Sequence, residues 1–139
     1  MSQTLRDLMT PDPVVLESTA TVEQAAQCMR DEDVGDVLVH EDGELCGIVT
    51  DRDLVVRCVA EQDDPSVTTI GDLCSAELIT VEVDASVEEA VLLMTRHSVR
   101  RVPVLEAGVV LGIVSLGDLA IARDPESALG RISASASTR

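Results

Sequence analysis

The groups in this chain that could do chemistry fall into a few short constellations. Thr50-Asp51-Arg52-Asp53 and Ser115-Leu116-Gly117-Asp118 each place a hydroxyl three residues before a carboxylate. At the start of a helix that spacing makes a capping pair, and a helix N-terminus also favours an anion. Arg100-Arg101 gathers positive charge in an acidic protein, either for an anion or as a partner for the surplus acids. The four cysteines form no C-x-x-C and no Cys/His cluster at zinc spacing. They read as core residues, with a redox or intermolecular disulfide role as the alternative. Cys46 and Cys58 are the two expected to approach a surface. His97, near a helix end, reads as a C-terminal cap-type interaction, and His40 suggests nothing. No nucleophile–base pair, metal set or G-x-x-x-x-G-K loop appears, so an enzyme is not expected.

The elements that must position these groups come twice. Gly47-Ile48-Val49-Thr50-Asp51-Arg52-Asp53-Leu54 returns as Gly112-Ile113-Val114-Ser115-Leu116-Gly117-Asp118-Leu119, an offset of 65 residues. The same offset carries Thr21-Val22-Glu23-Gln24-Ala25 onto Ser86-Val87-Glu88-Glu89-Ala90. It also carries Met29 onto Met94, Val39 onto Val104, Gly43 onto Gly108 and Asp7-Leu8 onto Asp72-Leu73. A fixed period is the mark of a structural repeat. Each half is small for an independent core. Two like halves packed face to face, with a cleft along a pseudo-two-fold, are therefore expected. Three cysteines stand where the other half is apolar: Cys28 against Leu93, Cys46 against Leu111 and Cys74 against Met9.

Composition bounds the rest. The chain has 139 residues, one domain's worth or two small intimate halves. It is 45% hydrophobic with no Phe, Trp or Tyr, so the core must be Val, Leu, Ile, Ala and Met. That removes aromatic stacking as a way to hold a base. A net charge of −16 argues against nucleic-acid or anionic-membrane partners. No apolar run approaches the ~20 residues of a membrane span. The N-terminus has no charged-then-apolar signal pattern, and a cytoplasmic location is expected.

In chain order, Thr4 to Met9 is expected as a short amphipathic helix stopped by Pro11 and Pro13. Val14-Val15-Leu16 reads as a buried strand. Thr21-x-x-Gln24 is a capping box, followed by Val22, Ala25, Ala26 and Met29 on one helix face that frays near Asp31 to Asp33. Val37 to Val39 and Leu45 to Thr50 form a hairpin around Asp42-Gly43, and a helix runs from Asp51 to about Ala60. The second half repeats this. A helix at Ile70 to Cys74 and a strand at Ile79 to Val81 precede a capping box at Ser86-x-x-Glu89. A helix follows, then a hairpin of Arg101 to Leu105 with Val109 to Ser115, and a helix from Leu116 to about Arg123. The division expected is a first repeat at 4–62, a linker at 63–69, a second repeat at 70–123 and a disordered tail at 124–139.

Strand, helix, strand, strand, helix in each half, with [Thr/Ser]-x-x-Asp opening the last helix, resembles a tandem pair of cystathionine-β-synthase (CBS) domains, the Bateman module. The markers are Leu8-Met9-Thr10-Pro11, Gly47-Ile48-Val49-Thr50-Asp51-Arg52-Asp53, Arg100-Arg101-Val102-Pro103-Val104 and Gly112-Ile113-Val114-Ser115-Leu116-Gly117-Asp118. The length and the Thr-Asp-Arg-Asp helix are similar to small stand-alone bacterial CBS-pair proteins of the hypoxic response type. The resemblance implies an α/β (α+β) fold of two β-α-β-β-α repeats packed with pseudo-two-fold symmetry.

It also implies adenine-nucleotide binding at two crossed sites. An Asp one turn into a helix accepts the ribose hydroxyls, the Thr or Ser donates to a phosphate, and arginine adds charge-assisted bonds. The first implied site is Thr50, Arg52 and Asp53 facing Ser75, Ile79, Thr80, Arg100 and Arg101. The second is Ser115 and Asp118 facing Thr10, Val14, Val15, Val34, Gly35 and Asp36. There Leu116 and Gly117 replace Asp51 and Arg52, and Asp36 stands in place of an arginine, which departs from a phosphate-binding pattern. The expected function is a regulatory sensor of AMP, ADP or ATP, with no required cofactor and no metal. The alternative is a ligand-free stress-response or interaction module acting as a dimer. A homodimer through the helices at Asp51 to Ala60 and Leu116 to Arg123 is expected, with an unidentified protein partner possible.

Overall fold

Two hairpins anchor the fold, and turn chemistry sets both. Asp42 and Gly43 take φ of 53° and 82°, and Ala107 and Gly108 take 51° and 83°. Positive φ at both central residues is the two-residue turn whose twist matches the flanking strands. The computed structural model describes residues 3–74 and 78–123. Its elements are α1 (Leu5–Leu8), β1 (Thr10–Pro11), β2 (Val15–Glu17), α2 (Val22–Glu32), β3 (Asp36–Glu41), β4 (Glu44–Thr50) and α3 (Asp51–Leu54). A π-helical stretch (Val55–Val59) and a 3-10 helix (Ile70–Leu73) follow, then β5 (Val81–Glu82), α4 (Val87–His97), β6 (Arg101–Glu106), β7 (Val109–Ser115) and α5 (Leu116–Arg123). The expected tail and Ser75 lie outside the described residues.

By contacts the described chain divides into two units, and their borders are not those of the sequence repeat. Residues 14–78 form one unit; residues 3–13 join 79–123 in the other. In the first, β2 pairs parallel to β3 and β3 antiparallel to β4. Val22, Ala25 and Met29 on α2 pack with Val37, Val39, Val49, Leu54, Cys58, Ile70 and Leu73. The period of 3.6 brings the α2 residues to one face, and the alternation of a strand brings Val37 and Val39 to one side. In the second unit, β5 pairs parallel to β6, β6 antiparallel to β7, and β7 antiparallel to β1. Its core is Leu5, Val81, Ala90, Met94, Val102, Val104, Val114 and Leu119. Both cores are wholly aliphatic and sulfur-containing.

Several local details differ from the sequence reading. Pro11 lies inside strand β1 rather than only stopping α1. The strand is at a sheet edge, where a missing N–H is tolerated. The helix expected over 51–60 is α-helical only to Leu54 and then widens, with Ala60 N donating to Val55 O at 2.8 Å. Val55, Val56 and Val59 are β-branched and crowd a tight α turn. Helix α2 ends within the expected range, running to Glu32 and closing on Asp33 in the left-handed region, φ 59°. At Thr21 both legs of the capping box form, at 3.1 and 2.8 Å. At Ser86 the hydroxyl accepts from Glu89 N at 3.0 Å. Thr4 and Asp7 make a further reciprocal capping box that the sequence reading missed. Among the described residues, no helix is long and apolar enough to cross a membrane.

Candidate functional site

The capping pairs are formed in both units with nearly the same geometry. Asp53 N donates to Thr50 Oγ1 at 3.2 Å, and Thr50 N donates to Asp53 Oδ2 at 2.8 Å. Asp118 N donates to Ser115 Oγ at 3.1 Å, and Ser115 N donates to Asp118 Oδ2 at 2.8 Å. The strand–helix junction aims each carboxylate, and its bond to a backbone amide holds that aim. Capping occupies Oδ2 alone, and a carboxylate has about four lone-pair sites. Each Asp therefore keeps acceptor capacity on Oδ1 for a ligand hydroxyl.

The junctions are tied to the helix-to-strand turn of their own unit. Asp51 N donates to Gly35 O at 2.9 Å, and Asp36 pairs with Thr50 across β3 and β4. Leu116 N donates to Arg100 O at 2.8 Å, and Arg101 pairs with Ser115 across β6 and β7. The structure thus brings Val34, Gly35 and Asp36 beside Thr50 and Asp53 within one unit. It brings Arg100 and Arg101 beside Ser115 and Asp118 within the other. Of the first expected set, Thr50, Arg52 and Asp53 belong to residues 14–78, and Ile79, Thr80, Arg100 and Arg101 to the other unit. Of the second, Val14, Val15, Val34, Gly35 and Asp36 belong to residues 14–78, and Thr10, Ser115 and Asp118 to the other.

Around Asp53 the charge is richer than the sequence reading had it. Arg57 Nε lies 3.8 Å from Asp53 Oδ1, and its Nη1 donates to Leu73 O at 3.0 Å. Arg52 is exposed, while its backbone N donates to Asp51 Oδ1 at 2.8 Å. Arg57 was missed, although Asp53 and Arg57 stand at the i, i+4 spacing that lets charges meet on a helix. The positions on α5 that correspond to Arg52 and Arg57 are Gly117 and Ala122, which carry no charge.

The cysteines need one correction. Cys58 does not approach a surface: it is fully buried, and its thiol donates to Asp63 O at 3.6 Å. It stands one turn beyond Leu54, which already faces the core. Cys46 is half-buried, as are Cys28 and Cys74. Burial pushes the Cys74 thiol up to about 11, and burial also raises Cys46 and Cys28. Among the described residues, no group of three or more His, Cys, Asp or Glu could hold a metal ion. An open groove of about 400 Å³ lies beside the start of α4, lined by residues that include Thr4, Asp84 and Glu88. None of the expected site residues lines it.

Comparison with known proteins agrees with this geometry. The CBS-domain model matches twice, over residues 5–59 and 70–124. An uncharacterized protein of Bacillus subtilis, YlbB, is 42% identical over 128 residues, covering 91% of this chain and 86% of that protein. Hypoxic response protein 1 of Mycobacterium tuberculosis is 36% identical over 118 residues, covering 84% of this chain and 82% of that protein. Among solved structures, Hypoxic Response Protein I with two coordinated zinc ions superimposes with a TM-score of 0.75 at 36% identity, covering 85% and 97% of the two chains. The CBS domain pair of protein MJ0100, in complex with 5-methylthioadenosine and S-adenosyl-L-methionine, shares the fold at a TM-score of 0.76 and 22% identity, covering 86% of this chain and 94% of that one. With two capped strand–helix junctions at a constant offset and a family match over each repeat, this chain belongs to the CBS-domain family as a tandem pair.

Proposed function

We propose that this CBS pair is a non-catalytic regulatory module that senses an adenine nucleotide, AMP, ADP or ATP. The observation that carries the reading is the setting of Asp53. Its Oδ2 is fixed by the Thr50 amide, and Arg57 Nε lies 3.8 Å from its Oδ1 in a chain of net charge −16. In this reading Oδ1 of Asp53 accepts ribose hydroxyls. The set proposed for the phosphates is Thr50, Arg52, Arg100 and Arg101, and that proposed for the rest of the nucleotide includes Ile79 and Thr80. The second set, Thr10, Val14, Val15, Val34, Gly35, Asp36, Ser115 and Asp118, takes an uncharged adenosine-like group or none. The adenosine-type ligands in the complex of MJ0100 support the ligand class.

The two sets should differ in phosphate affinity. At ~4 Å and an effective dielectric of about 20, a pair of unit charges is worth roughly 4 kcal/mol before desolvation and screening. A third of that is tenfold in affinity. A thermal-shift screen with AMP, ADP, ATP and S-adenosylmethionine tests the class, because a ligand that binds only the native state raises the melting point. Calorimetry then tests the site. Asp53→Ala or Arg101→Ala should lower nucleotide affinity tenfold or more, and Asp118→Ala should change it little. Binding lost in Asp118→Ala and kept in Asp53→Ala would reverse the assignment.

The module also acts as a homodimer in this reading, within the cytoplasm. Val55, Val56 and Val59 on the π-helical stretch are 57%, 44% and 61% exposed, and Leu116 on α5 is 42% exposed. Apolar side chains left uncovered on both helices favour a partner surface there. A monomeric mass by sedimentation at micromolar concentration would count against the dimer.

A further inference from the structure

Strands β4 and β7 each carry a β-bulge at the same place in the repeat. In β7, Val110 pairs with Leu105 and Gly112 with Val104, so Leu111 is the extra residue. In β4, Leu45 pairs with His40 and Gly47 with Val39, so Cys46 is the extra residue. A bulge re-aims the side chain of its extra residue. Beside each bulge a glycine is covered by a residue from elsewhere in its unit. Met9 lies over Gly112, and Cys74 over Gly47, where an added Cβ would stand 2.9 Å from Cys74 Sγ. The positions filled by Leu111 and Met9 in one unit are thus filled by two thiols in the other. The two thiols stand close enough to act on one another: each is among the causes of the other's shift. The other cysteines are engaged differently: Cys58 donates to Asp63 O, and Cys28 lies on α2 near Asp31 and Glu32.

We propose that Cys46 and Cys74 form a dithiol–disulfide modification site, closed by a low-molecular-weight disulfide and reopened by a dithiol. Closure would fasten the chain just beyond the 3-10 helix to the bulge of β4. Cys46 is the first nucleophile, since the more deeply buried Cys74 holds its proton up to about pH 11. It attacks one sulfur of the oxidant, breaking that S–S bond and expelling one thiolate. Cys74, once deprotonated, attacks the Cys46 sulfur of the mixed disulfide. The Cys46–Cys74 bond forms and the second thiolate leaves. Two electrons pass to the oxidant, and the two cysteine protons end on the released small thiols or in solvent.

The charges around the pair set its speed. Burial and then Glu41 raise Cys46, with a smaller push from Glu17. Burial, Cys46 and Asp53 raise Cys74, and Arg57 opposes them. Closure should therefore be slow in neutral buffer and faster in alkaline buffer, where the thiolate fraction rises.

The test incubates the folded chain with oxidised glutathione, blocks remaining thiols, and maps peptides by mass spectrometry without reduction. The expected product joins the Cys46 and Cys74 peptides, leaves two of the four thiols free and reverts with dithiothreitol. Cys74→Ser should leave Cys46 carrying a mixed disulfide with glutathione. Cys28→Ser should leave the crosslink intact. A bond to Cys28 or Cys58, a bond between two copies, or four free thiols after alkaline oxidation overturns the proposal.

Discussion

The unit of residues 14–78 and the unit of residues 3–13 with 79–123 share one plan and differ at equivalent places. Each has a parallel strand pair, a capped helix of 11 residues, a hairpin with a two-residue turn, and a bulge before a Thr- or Ser-capped helix. Backbone hydrogen bonding and aliphatic packing need only the pattern, so the pattern was duplicated. What differs is chemical. One unit has Arg52 and Arg57 beside Asp53 and thiols at Cys46 and Cys74. The other has Gly117 and Ala122 at the equivalent helix positions, Arg100 and Arg101 on the adjoining turn and strand, and Leu111 and Met9 in place of the thiols. The lesson is that the scaffold is tolerant where the side chains are exposed or half-buried, and strict where they are core.

The largest effects should come from the residues that tie the short helices into each unit. Leu5 and Ile70 occupy equivalent positions and both are fully buried, Leu5 with the β6–β7 core and Ile70 with the β3–β4 core. Leu5→Ala and Ile70→Ala should each cost about 2–5 kcal/mol, the usual range for such truncations. Hydrogen exchange separates them. Leu5→Ala should expose amides of β6 and β7 first, and Ile70→Ala those of β3 and β4. Equal loss of protection in both hairpins would break the division into units.

The glycines at the bulges should come next. A Cβ on Gly112 would meet Thr10 O at 2.5 Å and Met9 Sδ at 2.9 Å, and one of these is backbone. Gly112→Ala should destabilise by roughly 1–3 kcal/mol, as overpacking does. Gly47→Ala meets only the Cys74 side chain, at 2.9 Å from Sγ, which can turn aside. Urea denaturation should find it the milder change, and the reverse order would show that β1 moves more easily than Cys74.

The smallest effect is electrostatic. The Cys74 thiol is raised from 9.0 to about 11 in the folded chain, chiefly by burial. The folded state then holds a proton that the unfolded state releases. Its stabilisation is full below pH 9.0 and is lost as pH rises toward about 11. Half-exposed groups are screened, so the slope should be shallow. Stability measured against pH under reducing conditions should fall less steeply in Cys74→Ala than in the parent chain. An identical slope would mean that Cys74 ionises without cost.

Particular residues show where reading the sequence succeeded. Asp42-Gly43 announced a hairpin turn because few residues accept positive φ. Thr21 with Gln24 announced a helix start because both groups act over three residues. Thr50 with Asp53, and Ser115 with Asp118, were legible as capping pairs for the same reason. Cys58 was misplaced because burial of a helix position depends on what packs above it. Arg57 was overlooked because its second partner, Leu73 O, lies 16 residues away. Strand β1 was read as a stop, since Pro11 signals a break unless an edge receives it.

By itself the sequence determined the repeat, the aliphatic core, the capped junctions and the family, since each rests on local period, spacing or residue type. Only the tertiary structure decided that residues 3–13 pack with the second repeat and that Ile70 to Leu73 pack with the first. It alone made Cys46 the extra residue of a bulge and brought Cys74 to it, and it alone brought Arg57 to both Asp53 and Leu73. These are long-range choices. An unpaired strand or an apolar helix face has many acceptable partners along the chain, and the one chosen is the one that buries the most surface without leaving backbone groups unsatisfied.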